Sequence, residues 1–127
     1  MRPEKLMIGD WVSLFQGNPD GSSCNVRVSY IGEYGEVGIE GCKEYTSANC
    51  NLLFPIPLTP EILEKNGFKK ELSEDNHYWF ILIHNGIRFS LFYARSVFQW
   101  LVPLDFKYVH KLQHALKLCG IDKEIEI

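Results

Sequence analysis

Phe54-Pro-Ile-Pro-Leu-Thr-Pro-Glu-Ile-Leu-Glu-Lys-Asn-Gly-Phe68 encodes a short helix together with both of its ends. The hydroxyl of Thr59 can accept from the free N–H groups of a first turn. Pro60 supplies the φ that turn needs and lacks the N–H it would leave orphaned. The helix is therefore expected to start at Thr59, with Leu58 packed on Leu63 as a hydrophobic staple and Glu61 near the positive end of the dipole. Gly67 supplies a left-handed residue past the last turn, and Phe68 can fold back on Leu63 in a Schellman ending. So short a helix nucleates poorly in water. Packing through Ile62, Leu63 and Phe68 must hold it, while Pro55 and Pro57 keep the approach extended and suit a strand end.

Upstream, Ile8 to Phe15 reads as a turn feeding a first strand, and Gln16 to Ser23 as a loop rich in Gly, Asn, Pro, Asp and Ser. Asn25 to Ile31 alternates Val26, Val28 and Tyr30 against Arg27 and Ser29, the period of a half-buried strand. Gly32 to Gly35 can turn the chain into a second alternating run, Glu36 to Glu40. Cys42 to Asn49 is polar and shows no element, and Asn51 to Ile56 presents Leu52, Phe54 and Ile56 on one face. Four short, closely spaced strands imply a small, strongly bent sheet of SH3-like type. Trp11, Tyr30, Tyr34 and Tyr45 are its aromatic-cage candidates. Against that reading, Trp11 and Tyr30 fit core positions and the other two ordinary loop positions.

Downstream, Lys69 to Asn76 is charged and loop-like. Asn85-Gly86 then joins Tyr78–His84 to Ile87–Tyr93, and a two-residue Asn-Gly connection favours a type I′ turn. Counting outward pairs His84 with Ile87, Leu82 with Phe89, Phe80 with Leu91 and Tyr78 with Tyr93, which makes that face core. The opposite face pairs Trp79 with Phe92, Ile81 with Ser90 and Ile83 with Arg88. It is too apolar to be left simply in water, so a helix, a strand layer or a partner protein is expected on it. Val97 to Val102 reads as one more strand, with Phe98 and Trp100 on one side, stopping at Pro103.

The final helix starts between Asp105 and Tyr108 and runs to Cys119. Val109, Leu112, Leu116 and Cys119 form its apolar stripe, and Lys107, His110, Lys111, His114 and Lys117 its polar side. Gly120 and Ile121 encode a second Schellman ending. Ile121, Ile125 and Ile127 alternate with Glu124 and Glu126 as a closing edge strand, with Lys123 discouraging further pairing.

A chain of 127 residues that is 46% apolar is expected to fold as one domain, with 1–56 β-rich, 57–68 a connector helix and 69–127 a meander plus helix. The fold class is α+β. A net charge of −3 gives no general attraction to nucleic acid. No run reaches the roughly 20 apolar residues of a membrane span, and no signal-peptide segment is evident, so a cytoplasmic location is expected. The four cysteines, Cys24, Cys42, Cys50 and Cys119, form no C-x-x-C pair and read as free thiols. Cys24 lies in the Gly/Ser/Asn-rich loop reading, where it would be exposed.

His110 and His114 stand four apart, a spacing that can grip a metal, but Lys111 replaces the Glu a zincin helix needs as its base. A solvated helix face is the simpler reading of that pair. His77 and His84 flank a strand, and no nucleophile elbow, P-loop or dinucleotide fingerprint occurs. Catalytic residues, metal ligands and cofactors are therefore all assigned as none. The Lys107–Lys117 stripe could meet phosphates, yet a basic stripe opposite an apolar one is what any surface helix presents.

The segments Ile56–Phe68, Tyr78-Trp-Phe80 and Lys107-Tyr-Val-His-Lys-Leu-Gln-His-Ala-Leu-Lys-Leu-Cys-Gly-Ile121 resemble small uncharacterised proteins encoded by phages, prophages and other mobile elements of gut anaerobic bacteria. Those proteins open with an Ile-Gly-Asn/Asp strand, carry a Pro-Leu-Thr-x-x-x-Leu-x-x-x-Gly-Phe helix and end with a Tyr-Val-His-x-Leu-Gln helix. Lys111 departs from the Glu or Gln expected there. The resemblance implies a mobile-element origin and no particular activity, and it marks Tyr108, His110 and Gln113 as the matching polar positions.

The leading expectation is a non-enzymatic adaptor that binds a protein partner or a second copy of itself. Its binding residues would be Trp79, Phe92, Tyr108, His110, Gln113 and His114. The alternatives are a nucleic-acid-binding accessory protein using the basic face of the last helix, and a small metal-dependent hydrolase.

Overall fold

In a computed structural model, residues 1–2, 5–14, 24–100 and 105–127 are described. Phe15, the 16–23 loop and the 101–103 end of the Val97 strand lie outside the described residues. The chain is α+β and divides into two compact units, Met1–Ile56 and Pro57–Ile127. Each holds a five-stranded antiparallel sheet.

In the first unit, β1 (Trp11–Leu14), β2 (Cys24–Ile31), β3 (Glu36–Glu40), β4 (Ser47–Asn49) and β5 (Leu53–Pro55) lie in the order β4-β3-β2-β1-β5. Val12, Leu14, Val26, Val28, Val37, Ile39 and Leu53 form its core together with Leu6 and Cys50. Three local features depart from the sequence reading. Cys24 is the first residue of β2, not part of a loop, and pairs with Leu14. A register shift between Val28 and Tyr30 breaks the simple alternation of β2, so Tyr30 leaves the core and lies 44% exposed. It sits opposite Gly38, where a Cβ would fall on the Tyr30 ring. The glycine is required by that close approach.

The third departure is at β5. Asn49 caps a single 3-10 turn over Cys50–Leu52 by accepting a 3.0 Å bond from the Asn51 N–H. The turn consumes the expected start of the strand and moves its phase by one residue. Leu53 is therefore fully buried while Leu52 is 41% exposed and Phe54 half-buried, the reverse of the expected face. Ile56 is buried as expected, but beyond the strand's end.

In the second unit, α1 (Pro60–Lys65) begins and ends as its sequence dictates. Thr59 Oγ1 accepts from the Ile62 N–H at 3.3 Å, and Leu58 and Leu63 are both buried. The Phe68 N–H donates to Leu63 O at 3.0 Å and the Gly67 N–H to Glu64 O at 3.1 Å, with Gly67 at φ 87°. Those two bonds define a Schellman ending. α2 (Val109–Leu118) closes the same way: the Ile121 N–H donates to Leu116 O at 2.9 Å and the Gly120 N–H to Lys117 O at 3.1 Å.

The second sheet runs β10-β9-β8-β7-β6, with β6 (Lys69–Leu72), β7 (Tyr78–His84), β8 (Ile87–Ala94), β9 (Val97–Gln99) and β10 (Asp105–Phe106). The β7–β8 register is the one counted outward from Asn85-Gly86, pair for pair. Both turn residues have positive φ, 49° and 81°, as a type I′ turn demands. Phe80, Leu82, Phe89 and Leu91 are buried on one face. β6 occupies a segment read as loop. All four of its residues are exposed, so no alternation marks it, and its pairing with β7 alone defines it.

The tail is also corrected. Residues 121–127 form no strand, although Ile121 and Ile125 are buried. Its backbone is instead tied to the end of α1 through Asn66. The side-chain amide of Asn66 donates to Glu126 O and Ile62 O, and Asn66 Oδ1 accepts from the Glu126 N–H, each at 2.7 Å. One buried amide thus replaces the ladder the alternation predicted.

β8 and β9 are joined by Arg95 and Ser96, which adopt φ 52° and 63°. Left-handed backbone costs an L residue roughly 1–2 kcal/mol. Exchanging the pair for Asn-Gly is therefore expected to raise stability by about 1 kcal/mol, read as a higher denaturant midpoint at unchanged slope.

Candidate functional site

The hairpin's outer face carries the most exposed large apolar side chains of the β7–β8 pair. Trp79 and Phe92, cross-strand partners in the register, bring their rings to 5.0 Å between centroids at 52°. The Asn85-Gly86 turn fixes this meeting, since it sets both strands in phase. His77 approaches Phe92 edge-on at 5.5 Å. It is positioned by the β6–β7 loop, where the Ser73 N–H donates to His77 O and the His77 N–H to Glu74 O. Trp79 is 40% exposed and Ile83 71%, while Ile81 between them is buried. Lys69 and Glu71 on β6, and Arg88 on β8, flank these side chains in the ladder. An apolar centre with a charged rim is the composition of a protein-recognition surface.

The second group of expected residues lies on α2, and the structure gives it a different character. Tyr108 and His110 stack at 5.9 Å with planes 16° apart, and His110 meets His114 edge-on at 5.6 Å. His110 is only 3% exposed and Gln113 8%, whereas His114 is half-buried. The solvated polar side read from the sequence is thus corrected at His110: the helix buries a wider arc than its aliphatic stripe, because Tyr108, His110 and Gln113 pack with it. Lys107, Lys111 and Lys117 remain exposed. Among the described residues, no three His, Cys, Asp or Glu side chains are grouped to hold a metal ion.

The four aromatic-cage candidates occupy separate settings in the first unit. Trp11 is half-buried with the Arg27 guanidinium 5.5 Å from its ring centroid, so its face already carries a cation. Tyr30 lies over Gly38 and donates to Glu36 Oε1 at 3.0 Å. That bond, with burial and the nearby negative charge, pushes its hydroxyl above the ordinary tyrosine range. Tyr34 is 91% exposed in the β2–β3 turn and Tyr45 44% exposed. The core positions read for Trp11 and Tyr30 are therefore not core: one is half-buried and the other lies on the surface.

Two sites were not foreseen. His77 completes the Trp79–Phe92 group, and its only sequence signal is that it precedes β7. Cys24 and Cys42 are brought near each other by the β2–β3 pairing, and the register shift between Val28 and Tyr30 hides this from a count made outward from the Gly32–Gly35 turn. Among the described residues, no helix is long and apolar enough to cross a membrane. No protein-family model, curated protein or solved structure matches the chain.

Proposed function

We propose that this protein is a non-enzymatic adaptor of phage or mobile-element origin, acting in the cytoplasm, that binds a protein through the outer face of β7 and β8. The partner is a host or phage protein or a second copy of the chain. One observation carries the reading: Trp79 is exposed against the Phe92 ring, and Ile83 is exposed further along the same strand face, and burying such side chains is a main source of protein–protein affinity. The motif resemblance supports the mobile-element origin. The strand order β4-β3-β2-β1-β5, with a 3-10 turn between β4 and β5, supports an SH3-like first unit.

Because Ile83 is 71% exposed, Ile83→Glu is expected to change stability by no more than about 0.5 kcal/mol. It should nevertheless abolish partner retention, since it puts a charge on the apolar face that a bound partner would cover. A denaturant melt tests the first half of this expectation, and light scattering with affinity capture tests the second. A strict monomer that retains no protein counts against the adaptor reading. The exposed lysines on and before α2 favour nucleic acid as the second reading, and absent or salt-independent binding to mixed DNA and RNA eliminates it.

A further inference from the structure

Cys24 opens β2, and Cys42 follows Gly41 just past the end of β3. Antiparallel pairing sets Arg27 opposite Glu40, and the ladder's direction carries Gly41 to within reach of Asn25 and Val26: a Cβ on Gly41 would lie 3.5 Å from Asn25 O and 3.9 Å from Val26 Cα. Cys42 is therefore delivered beside the start of β2, where its thiol and that of Cys24 are close enough to perturb each other. The two differ in setting. Cys24 is exposed, while Cys42 is half-buried and packs partly on the first unit's core. The remaining cysteines offer no such arrangement, for Cys50 is buried in the first unit and Cys119 caps α2 in the second.

We propose that Cys24 and Cys42 are a redox-responsive pair that a small-molecule disulfide of the glutathione type oxidises to an intramolecular disulfide, stapling the start of β2 to the chain leaving β3. The backbone at Glu44 and Tyr45 hydrogen-bonds to Cys42 and lowers its pKa, favouring the thiolate. The Cys42 thiolate attacks one sulfur of the glutathione disulfide, forming a mixed disulfide and releasing one glutathione thiolate. Cys24 is raised mainly by its hydrogen bond to Cys42 and by that neighbour's charge. Capping Cys42 removes both causes. Cys24 then loses its proton to solvent and attacks the Cys42 sulfur, expelling the second glutathione thiolate. Two electrons pass from the protein dithiol to glutathione disulfide, which leaves as two glutathione thiols.

The native full chain is incubated with oxidised glutathione and examined by intact mass and peptide mapping. The expected product has lost two of its four thiols, carries a Cys24–Cys42 link and no glutathione, and returns to the dithiol with dithiothreitol. Cys24→Ser is expected to stop at a glutathione adduct on Cys42, and Cys42→Ser to react more slowly at Cys24. The proposal is overturned by adducts that accumulate on the native chain without the link, by a link involving Cys50 or Cys119, or by four thiols that stay unreacted. Circular dichroism of both serine variants separates loss of folding from loss of reactivity.

Discussion

Phe89→Ala is expected to destabilise the protein by about 3–5 kcal/mol, the range for deleting a fully buried aromatic ring. Phe89 is 1% exposed on the core face of β8 and pairs with Leu82 across the hairpin. Its ring meets Phe68 edge-on at 6.2 Å and Trp100 at 5.4 Å. Phe68 is the residue that folds back at the end of α1, and Trp100 in turn contacts Phe106 of β10 at 5.6 Å. Removing Phe89 therefore leaves a cavity against rings from separate parts of the second unit. A denaturant or thermal melt measures the loss. The neighbouring Ile87, which is 36% exposed, is the internal comparison and should cost well under half as much when truncated. Ile87 lies on the same face nearer the turn, so equal losses at the two positions would show that the ring packing around Phe89 is not what makes its removal costly.

Asn66→Ala is the second large effect, expected at about 2–4 kcal/mol. Asn66 is 5% exposed and satisfies both backbone polar groups of Glu126 as well as the Ile62 carbonyl. Alanine removes all three bonds at once, and each partly buried backbone group left without a partner costs roughly 1–3 kcal/mol. The loss is less than a full sum because the tail can move out and let water replace the amide. Asn66→Asp separates the contributions: the Glu126 N–H keeps an acceptor and the Ile62 carbonyl keeps the backbone N–H of residue 66, while the Glu126 carbonyl loses its amide donor. Hydrogen exchange at the Glu126 amide should accelerate strongly in the alanine variant and much less in the aspartate variant. Unchanged exchange at Glu126 in the alanine variant would show that Asn66 does not hold the tail.

What was legible in the sequence was what one residue type dictates locally. Thr59-Pro60 and Gly67 fixed α1, Gly120 ended α2, and Asn85-Gly86 set the register of seven residue pairs between β7 and β8. What was hidden depends on partners far along the chain. β6 has no buried side chain and exists because β7 lies beside it. The register shift that turns Tyr30 outward leaves no mark in the alternation of Val26, Val28 and Tyr30. Arg95-Ser96 makes a two-residue turn without the Asn or Gly that announces one, and Ile121 to Ile127 alternates like a strand yet is tied down by side chains at the end of α1, Asn66 and Lys65 among them. In the candidate site the same division holds. Trp79 and Phe92 were placed on one face by counting from a turn. The burial of His110 and Gln113 was not readable, because two polar residues on a helix look identical whether water or protein covers them.

The central claim, that the outer face of β7 and β8 recognises a protein, is tested most directly by quantitative affinity capture. Tagged native protein and tagged Ile83→Glu are compared in host cells that also make the untagged chain, so that self-association and foreign partners are both detected. The account predicts that a specific protein or the untagged copy is enriched on the native bait and reduced at least about tenfold on the variant, the loss of about 1.4 kcal/mol or more of binding. Equal enrichment on both baits, or no enrichment on the native one, would contradict it.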